Sequence, residues 1–407
     1  MSAEFNPIGS GRQTGSSTDL RPLERVRALM ADSFQFTAPD SPGLHFCGGL
    51  ADPQLAGLSA ALPRISVVGS DLSADGAETR CLGEAAERLS SLYDPSRDLK
   101  SVPAADIPAD LLACIGTEAM EHECLAGQRL NDGAAVWVPA AVCLHDPAAP
   151  AQRLPAKGIA AGPDWQSAVE RAVAELVERD AAALWWLGGQ MPAPVSLDVL
   201  ARGDAGAVLQ MLRGDQTGRS AWVLDISTEF GLTVFAAVSV MGNGEGFACG
   251  LAAAADPAEA MRSALVEMAQ MELSQHLIRG KAKALGPEGL TEGDFRQIER
   301  SARITPETCP LIAASGPLRA QASSSANAVA QIALQSTVYA VDCTLLGLDV
   351  PVAVVLTLIE GFLLSGPGGR MEISPAKARA MFAHLALSPN MEQTRERLAG
   401  LLWGGDD

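Results

Sequence analysis

Val173-Ala174-Glu175-Leu176-Val177-Glu178-Arg179 is an apolar helical phrase interrupted by two carboxylates one turn apart. The same phrase occurs earlier as Leu82-Gly83-Glu84-Ala85-Ala86-Glu87-Arg88. A weaker copy follows as Leu265-Val266-Glu267-Met268-Ala269-Gln270. The three copies lie at near-equal intervals with β-rich segments around them. That period predicts an α/β chain (mixed α+β) of repeated strand-helix units stacked around one core.

Working outward, Ile65 to Val68 reads as a short strand, and Ala77 to Leu92 as a helix with small and apolar residues on one face. Asp164 or Ser167 starts the next helix, to about Leu187; Asp256-Pro257 opens another, to about Leu277. A helix from Arg21 to about Met30 is expected. Val136 to Pro139 follows Asn131-Asp132-Gly133 as a hairpin. Trp222 to Ile226, Leu232 to Val240, Phe247 to Leu251, Val329 to Leu334 and Val338 to Asp342 read as strands. Gly242 to Gly246 joins two of these as a turn. A second echo relates Asp225-Ile226-Ser227 to Asp342-Cys343-Thr344.

Residues 1–20 are rich in Gly, Ser and Thr and predict a flexible tail. Residues 21–370 form the predicted domain, and 371–407 predict C-terminal helices after Ser374-Pro375 and Ser388-Pro389. Leu345 to Leu364 is broken by Asp349, Pro351 and Glu360, so it reads as a buried strand followed by a loop or a second strand rather than a membrane span.

Apolar residues make up 48% of the 407 and charged ones 19%, enough for a large core. Only 4% are aromatic, so Ala, Leu and Val must fill most of it. A net charge of −18 disfavours nucleic acid and anionic membrane as partners. The eight cysteines show no C-x-x-C spacing, and the start has neither basic nor apolar signal regions; both predict a cytoplasmic protein with reduced thiols.

Glu84/Glu87 and Glu175/Glu178 are i, i+3 pairs, and Glu267/Gln270 keeps the spacing with one carboxamide. Like charges so placed repel. On an apolar face they need a cation to be tolerated. Mg2+ suits them, being hard and able to bridge carboxylates to phosphates. Arg88 and Arg179 follow the pairs, placed to bind phosphate or to neutralise the carboxylates.

At these residues the chain resembles the YcaO family, from about Val67 to about Val355. The resemblance is carried by residues 82–90, Gly158 to Gly162, 173–181, 250–260 with 264–270, and 341–344 with 350–354. It implies a YcaO-like fold and an ATP- and Mg2+-dependent cyclodehydratase of ribosomal peptide natural-product biosynthesis. Such an enzyme phosphorylates a backbone amide oxygen after a nucleophile attacks, giving an azoline or a thioamide. It implies a precursor peptide as substrate, a leader-peptide-binding or other biosynthetic partner protein, and a homodimer. Glu84, Glu87, Glu175, Glu178 and Glu267 match the family's acidic Mg2+–ATP positions, and Arg179 and Gln270 match further cofactor-binding positions.

The chain departs from the family's pattern at Ser70 in place of Lys, at Arg80 in place of Ser, and at Pro163 and Ser167 in place of Asn and Glu. Ser263 and Ala353 stand where the family has Arg. Three cations facing the nucleotide are thereby lost unless Arg80 or Lys157 substitutes. These losses support an alternative: a divergent, degenerate-site subunit that binds a peptide or partner without turning over ATP.

Overall fold

The computed structural model describes residues 6–7, 22–115, 119–146, 156–214, 218–313, 328–334, 336–358, 363–366 and 369–372. One sheet runs β1 (Asn6–Pro7), β2 (Met30–Ala38), β3 (Ser41–Ala51), β4 (Ile65–Asp71). A second runs β5 (Lys100–Pro103), β6 (Glu121–Arg129), β13 (Thr337–Asp342), β14 (Val352–Leu358), β8 (Ala156–Ala161), with β7 (Ala134–Pro139) also on β6. The third runs β12 (Ala248–Ala254), β11 (Thr233–Met241), β10 (Arg219–Asp225), β9 (Ala193–Pro194). A separate ribbon pairs β15 (Leu363–Gly366) with β16 (Gly369–Glu372).

Each large sheet ends on an edge strand that feeds directly into a long helix. β4 leads into α2 (Ala74–Ser90), β8 into α5 (Trp165–Trp186), and β12 into α8 (Pro257–Leu285). The other helices are α1 (Pro22–Arg27), α3 (Ala109–Ile115), α4 (Ala140–Cys143), α6 (Leu197–Arg202), α7 (Ala205–Arg213), α9 (Glu292–Arg303) and α10 (Ala328–Ala333). The architecture is therefore mixed α/β, with the expected strand-helix repetition.

Local chemistry starts each long helix in the same way. Ser73 accepts from Gly76 N–H, Asp164 from Ser167 N–H, and Asp256 from Ala258 N–H, with Pro257 in the first turn. Each helix then lays a small-residue stripe on its strand: Ala85 and Ala86, Ala168 and Ala172, Ala264 and Ala269 are buried. Glycines permit the close approach. A Cβ at Gly158 would overlap the carbonyl of Ala172, one at Gly250 the backbone of Ala264 and Met268, and one at Gly69 that of Ala77 and Cys81. Adjoining apolar clusters lie beneath the helices, rich in Ala, Val and Leu as the scarcity of aromatics requires.

The strand echo is structural. Ser227 N–H donates to Asp225 Oδ1 and Thr344 N–H to Asp342 Oδ1, both at 2.9 Å. Val234 N–H then donates to Ser227 Oγ at 2.9 Å and Val352 N–H to Thr344 Oγ1 at 3.0 Å.

Several expectations are corrected. Val329 to Leu334 is not a strand, since Ala328–Ala333 is helical; the buried residues, Ala328 and Ile332, are four apart, the helical rather than the alternating period. The first helix stops at Arg27, and Met30 already pairs with Ala51. The third long helix runs on to Leu285, where Gly286 at φ 74° ends it. Leu345 to Leu364 holds, as expected, a strand, Val352–Leu358, and then the start of a second, β15. Of the expected flexible tail, only Asn6–Pro7 is described, as a strand on β2. The expected C-terminal helices, from Ser374 onward, lie outside the described residues. Five of the eight free cysteines are buried.

Candidate functional site

The edge strands β4, β8 and β12 leave outward backbone N–H groups without a ladder partner, at alternate residues. The repeated glutamates take them. Val68 N–H donates to Glu84 Oε2 at 2.7 Å, Ile159 N–H to Glu175 Oε2 at 2.6 Å, and Leu251 N–H to Glu267 Oε2 at 3.1 Å. In all three the donor lies 16 residues before its glutamate. Each helix so binds the strand that precedes it.

The second position of each pair reaches the next unit instead. Ala161 N–H of β8 donates to Glu87 Oε1 of α2 at 2.8 Å. Ala253 N–H of β12 donates to Glu178 of α5. Ser70 Oγ of β4 donates to Gln270 Oε1 of α8 at 3.0 Å. The donors again sit two residues on, at 70, 161 and 253. Helix packing follows the same cycle, α2 on β8, α5 on β12 and α8 on β4, so the three units close into a ring. All five predicted glutamates and Gln270 are brought together at its junctions.

The ring concentrates negative charge. Burial raises Glu87 to about 7, opposed by the Ala161 N–H bond and helped by Glu175 and Glu84. Burial raises Glu178 to about 8, with Glu267 and Glu175 adding repulsion. Glu267 rises to about 7 by burial and the charge of Glu175, against the Leu251 N–H bond. Its surface is nonetheless exposed. The upward direction therefore rests on burial of the carboxyl group itself, since the Leu251 N–H bond acts against it.

The predicted arginines neutralise carboxylates. Arg88 Nε donates to Glu84 Oε1 at 2.7 Å, and Arg179 pairs with Glu175 while Nη1 reaches Lys157 O at 3.4 Å. Of the departures, Ser70 is buried under Gln270, and Ala353 is fully buried opposite Ala160 in the β14–β8 ladder. Ser167 N–H is held by the Asp164 cap, and Pro163 precedes that cap. The helix α8 is continuous, so Ser263, one turn before Glu267, shares its face, while Arg262 is exposed. Neither cation offered as a substitute is free: Arg80 pairs with Asp71 at 2.9 Å, and Lys157 Nζ donates to Cys143 O at 3.1 Å, with burial lowering its pKa.

Two site residues carry no sequence signal of their own. Cys249 on β12 adjoins Glu267 and Glu178, and burial keeps its thiol protonated. Arg171 on α5 donates from Nη1 to Ala161 O at 3.2 Å. Its position one turn before Glu175 was the only available hint.

A divalent cation fits this donor set. At Glu87, Glu178 and Glu267 the bond to a backbone N–H uses one oxygen and leaves another for a hard ion, and repulsion among the carboxylates is the deficit an ion would relieve. Among the described residues no three His, Cys, Asp or Glu side chains already surround a single point.

Comparison with known proteins agrees with the geometry. A family model described as YcaO cyclodehydratase, ATP- and Mg2+-binding, matches residues 68–363. A search of curated proteins gives no match. Among solved structures, a heterocyclase in complex with substrate and cofactor is similar at 19% identity and TM-score 0.63, over 83% of this chain and 52% of that one. YcaO from Methanopyrus kandleri bound with AMPPCP and Mg2+ is similar at 22% identity and TM-score 0.56, over 82% and 86%. The E. coli microcin synthetase McbBCD complex is similar at 14% identity and TM-score 0.59, over 83% and 90%. The chain thus spans about half the length of the heterocyclase. Among the described residues no helix is long and apolar enough to cross a membrane.

Proposed function

The chain belongs to the YcaO family, and we propose that it is an Mg2+- and ATP-dependent activator of a peptide backbone amide in ribosomal peptide natural-product biosynthesis. One observation carries this reading: five carboxylates line the helix-strand contacts of one closed ring, with more negative charge than the adjacent arginines neutralise. The similar structures with AMPPCP and Mg2+, with substrate, and with pro-MccB17 support it.

Bound Mg-ATP supplies the phosphoryl group that makes the amide oxygen a leaving group. The chain's own contribution is positioning and charge stabilisation. Glu87, Glu178 and Glu267 would hold Mg2+ through the oxygens not bonded to strand N–H groups. Glu84 and Glu175, pinned by Val68 and Ile159 and steadied by Arg88 and Arg179, fix the helices that present them. Gln270 and Ser70 form a neutral third junction, which leaves the negative field on one side of the ring. A precursor peptide, a leader-binding partner and a homodimer are parts of the same proposal.

A second reading has its own observation. Ser70 and Ala353 are buried and uncharged, and Arg80 and Lys157 are engaged elsewhere. A peptide- or partner-binding subunit without ATP turnover would tolerate those losses. Calorimetry of the full chain with Mg-ATP decides, with Glu178→Gln as control. Micromolar binding that the substitution abolishes supports the enzyme. Absence of heat in both proteins favours the binding subunit.

A further inference from the structure

The arginines of the carboxylate ring are not equivalent. Arg88 is met by Glu84, Arg179 by Glu175, and Arg80 by Asp71. Arg171 is met only by a neutral group: among the described residues its one bond is from Nη1 to the Ala161 carbonyl, and no carboxylate lies within ion-pair distance. It is also exposed, so a ligand can reach the nitrogens that remain.

Its placement is specific. Ala161 is held at both ends, its N–H by Glu87 and its carbonyl by Arg171. A carboxylate of α2 and a guanidinium of α5 are thus fixed on one residue of β8, at the α2–α5 junction. Arg171 lies one turn before Glu175 on the same helix face, so it looks toward the ring rather than away from it. The Glu87 carboxylate senses its charge. An anion bridged to Glu87 through a divalent cation would meet Arg171 on its other side, giving a carboxylate–cation–anion–guanidinium sequence of alternating charge. In a chain of net charge −18, a guanidinium without a paired carboxylate beside an acidic site is placed to meet an anion.

We propose that Arg171 is a phosphate-binding arginine of this site, contacting the polyphosphate of a nucleoside triphosphate and supplying the positive charge that Ser70, Ser263 and Ala353 do not. The proposal rests on the Mg-ATP reading above. It explains how a site without those cations still holds a triphosphate, and it marks α5 as the helix on the phosphate side.

The test is calorimetry of full-length wild type, Arg171→Gln and Arg171→Lys with Mg-ATP, Mg-ADP and adenosine, with thermal unfolding of each. Loss of one charged hydrogen bond weakens Mg-ATP binding by about ten- to a hundred-fold in Arg171→Gln. Arg171→Lys recovers part of that loss, adenosine binding stays within about two-fold of wild type, and the melting temperature is unchanged. Equal Mg-ATP affinity in wild type and Arg171→Gln overturns the assignment while leaving the Mg-ATP site intact. An equal loss of adenosine binding, or a lowered melting temperature shared by Arg171→Lys, also overturns it, because the residue is then structural. Failure of wild type to bind Mg-ATP at all overturns the underlying reading, and this proposal with it.

Discussion

Replacing Glu178 with glutamine should stabilise the metal-free protein at alkaline pH while weakening Mg-ATP binding. Glu178 stands where Glu267 and Glu175 add their repulsion to burial, and its pKa is about 8 against an ordinary 4.5. The sign follows from the direction. Below the unfolded value the group is protonated in both states and contributes nothing. As pH rises the unfolded chain ionises first, so the folded state loses stability progressively until the folded value is passed. Taken whole, that shift opposes folding by up to about 5 kcal/mol above about pH 8. Solvent relaxation around a partly exposed side chain reduces this to roughly 1–3 kcal/mol. Glutamine keeps the oxygen that accepts Ala253 N–H, and the fold already tolerates a carboxamide at the equivalent position, Gln270. For a chain of this size the gain is about 1–4 °C in melting temperature. The assay is thermal unfolding in chelator, wild type against Glu178→Gln, from about pH 5 to about pH 9. The difference should be near zero at the acidic end and grow through neutrality. A pH-independent difference, or a less stable variant at about pH 9, would refute the crowding on which the site rests.

Other expectations follow from the same geometry. Mg2+ competes with protons for Glu87, Glu178 and Glu267, whose pKa values lie at about 7, 8 and 7. Mg2+ binding should therefore strengthen from about pH 6 to about pH 8.5 and release protons, read from calorimetric heats in buffers of different ionisation enthalpy. Gly158→Ala should push α5 off β8, because the new Cβ overlaps the Ala172 carbonyl. A cost of about 1–3 kcal/mol in denaturant unfolding, with weaker Mg-ATP binding, is expected. Glu272 is fully buried, bonded by Arg213 Nη2 at 2.7 Å and facing Arg219 Nε at 3.2 Å. Glu272→Ala strands both guanidinium groups and should cost about 3–5 kcal/mol in the same measurement.

The sequence made the long helices legible because their signals are local. Asp164 and Asp256-Pro257 are caps that act within one turn, and the alanine stripes are periodic within one helix. The glutamate pairs were legible as repeats. Their partners were not: Val68, Ala161 and Ala253 contribute backbone N–H groups, which every non-proline residue has, so no residue type marks them. Arg171 was hidden for a related reason, since it donates to the backbone carbonyl of Ala161 on the preceding strand, a group no residue type marks. The clamp of Arg213, Arg219 and Glu272 joins residues from α7, β10 and α8 and has no short-range signature. Ala328–Ala333 misled because a six-residue apolar run with Val329 and Ile332 satisfies strand and helix patterns alike; its single buried face is a tertiary fact.

The ring also explains why charged residues occupy apolar helix faces at all. Three edge strands meeting at a centre expose backbone N–H groups that no fourth strand can pair. A carboxylate is a strong acceptor for them, while at the Gln270 junction a carboxamide accepts from the Ser70 hydroxyl instead. Glu87, Glu178 and Glu267 are raised first by burial and further by the charge of neighbouring carboxylates. A divalent cation relieves the repulsion without disturbing the N–H bonds, since each uses only one oxygen. Folding and metal affinity are thereby linked: what destabilises the empty ring is what binds the ion. The neutral Gln270–Ser70 junction shows that closing the ring needs no charge there, so the two acidic junctions carry more charge than closure alone demands, and the proposed cation would answer that excess.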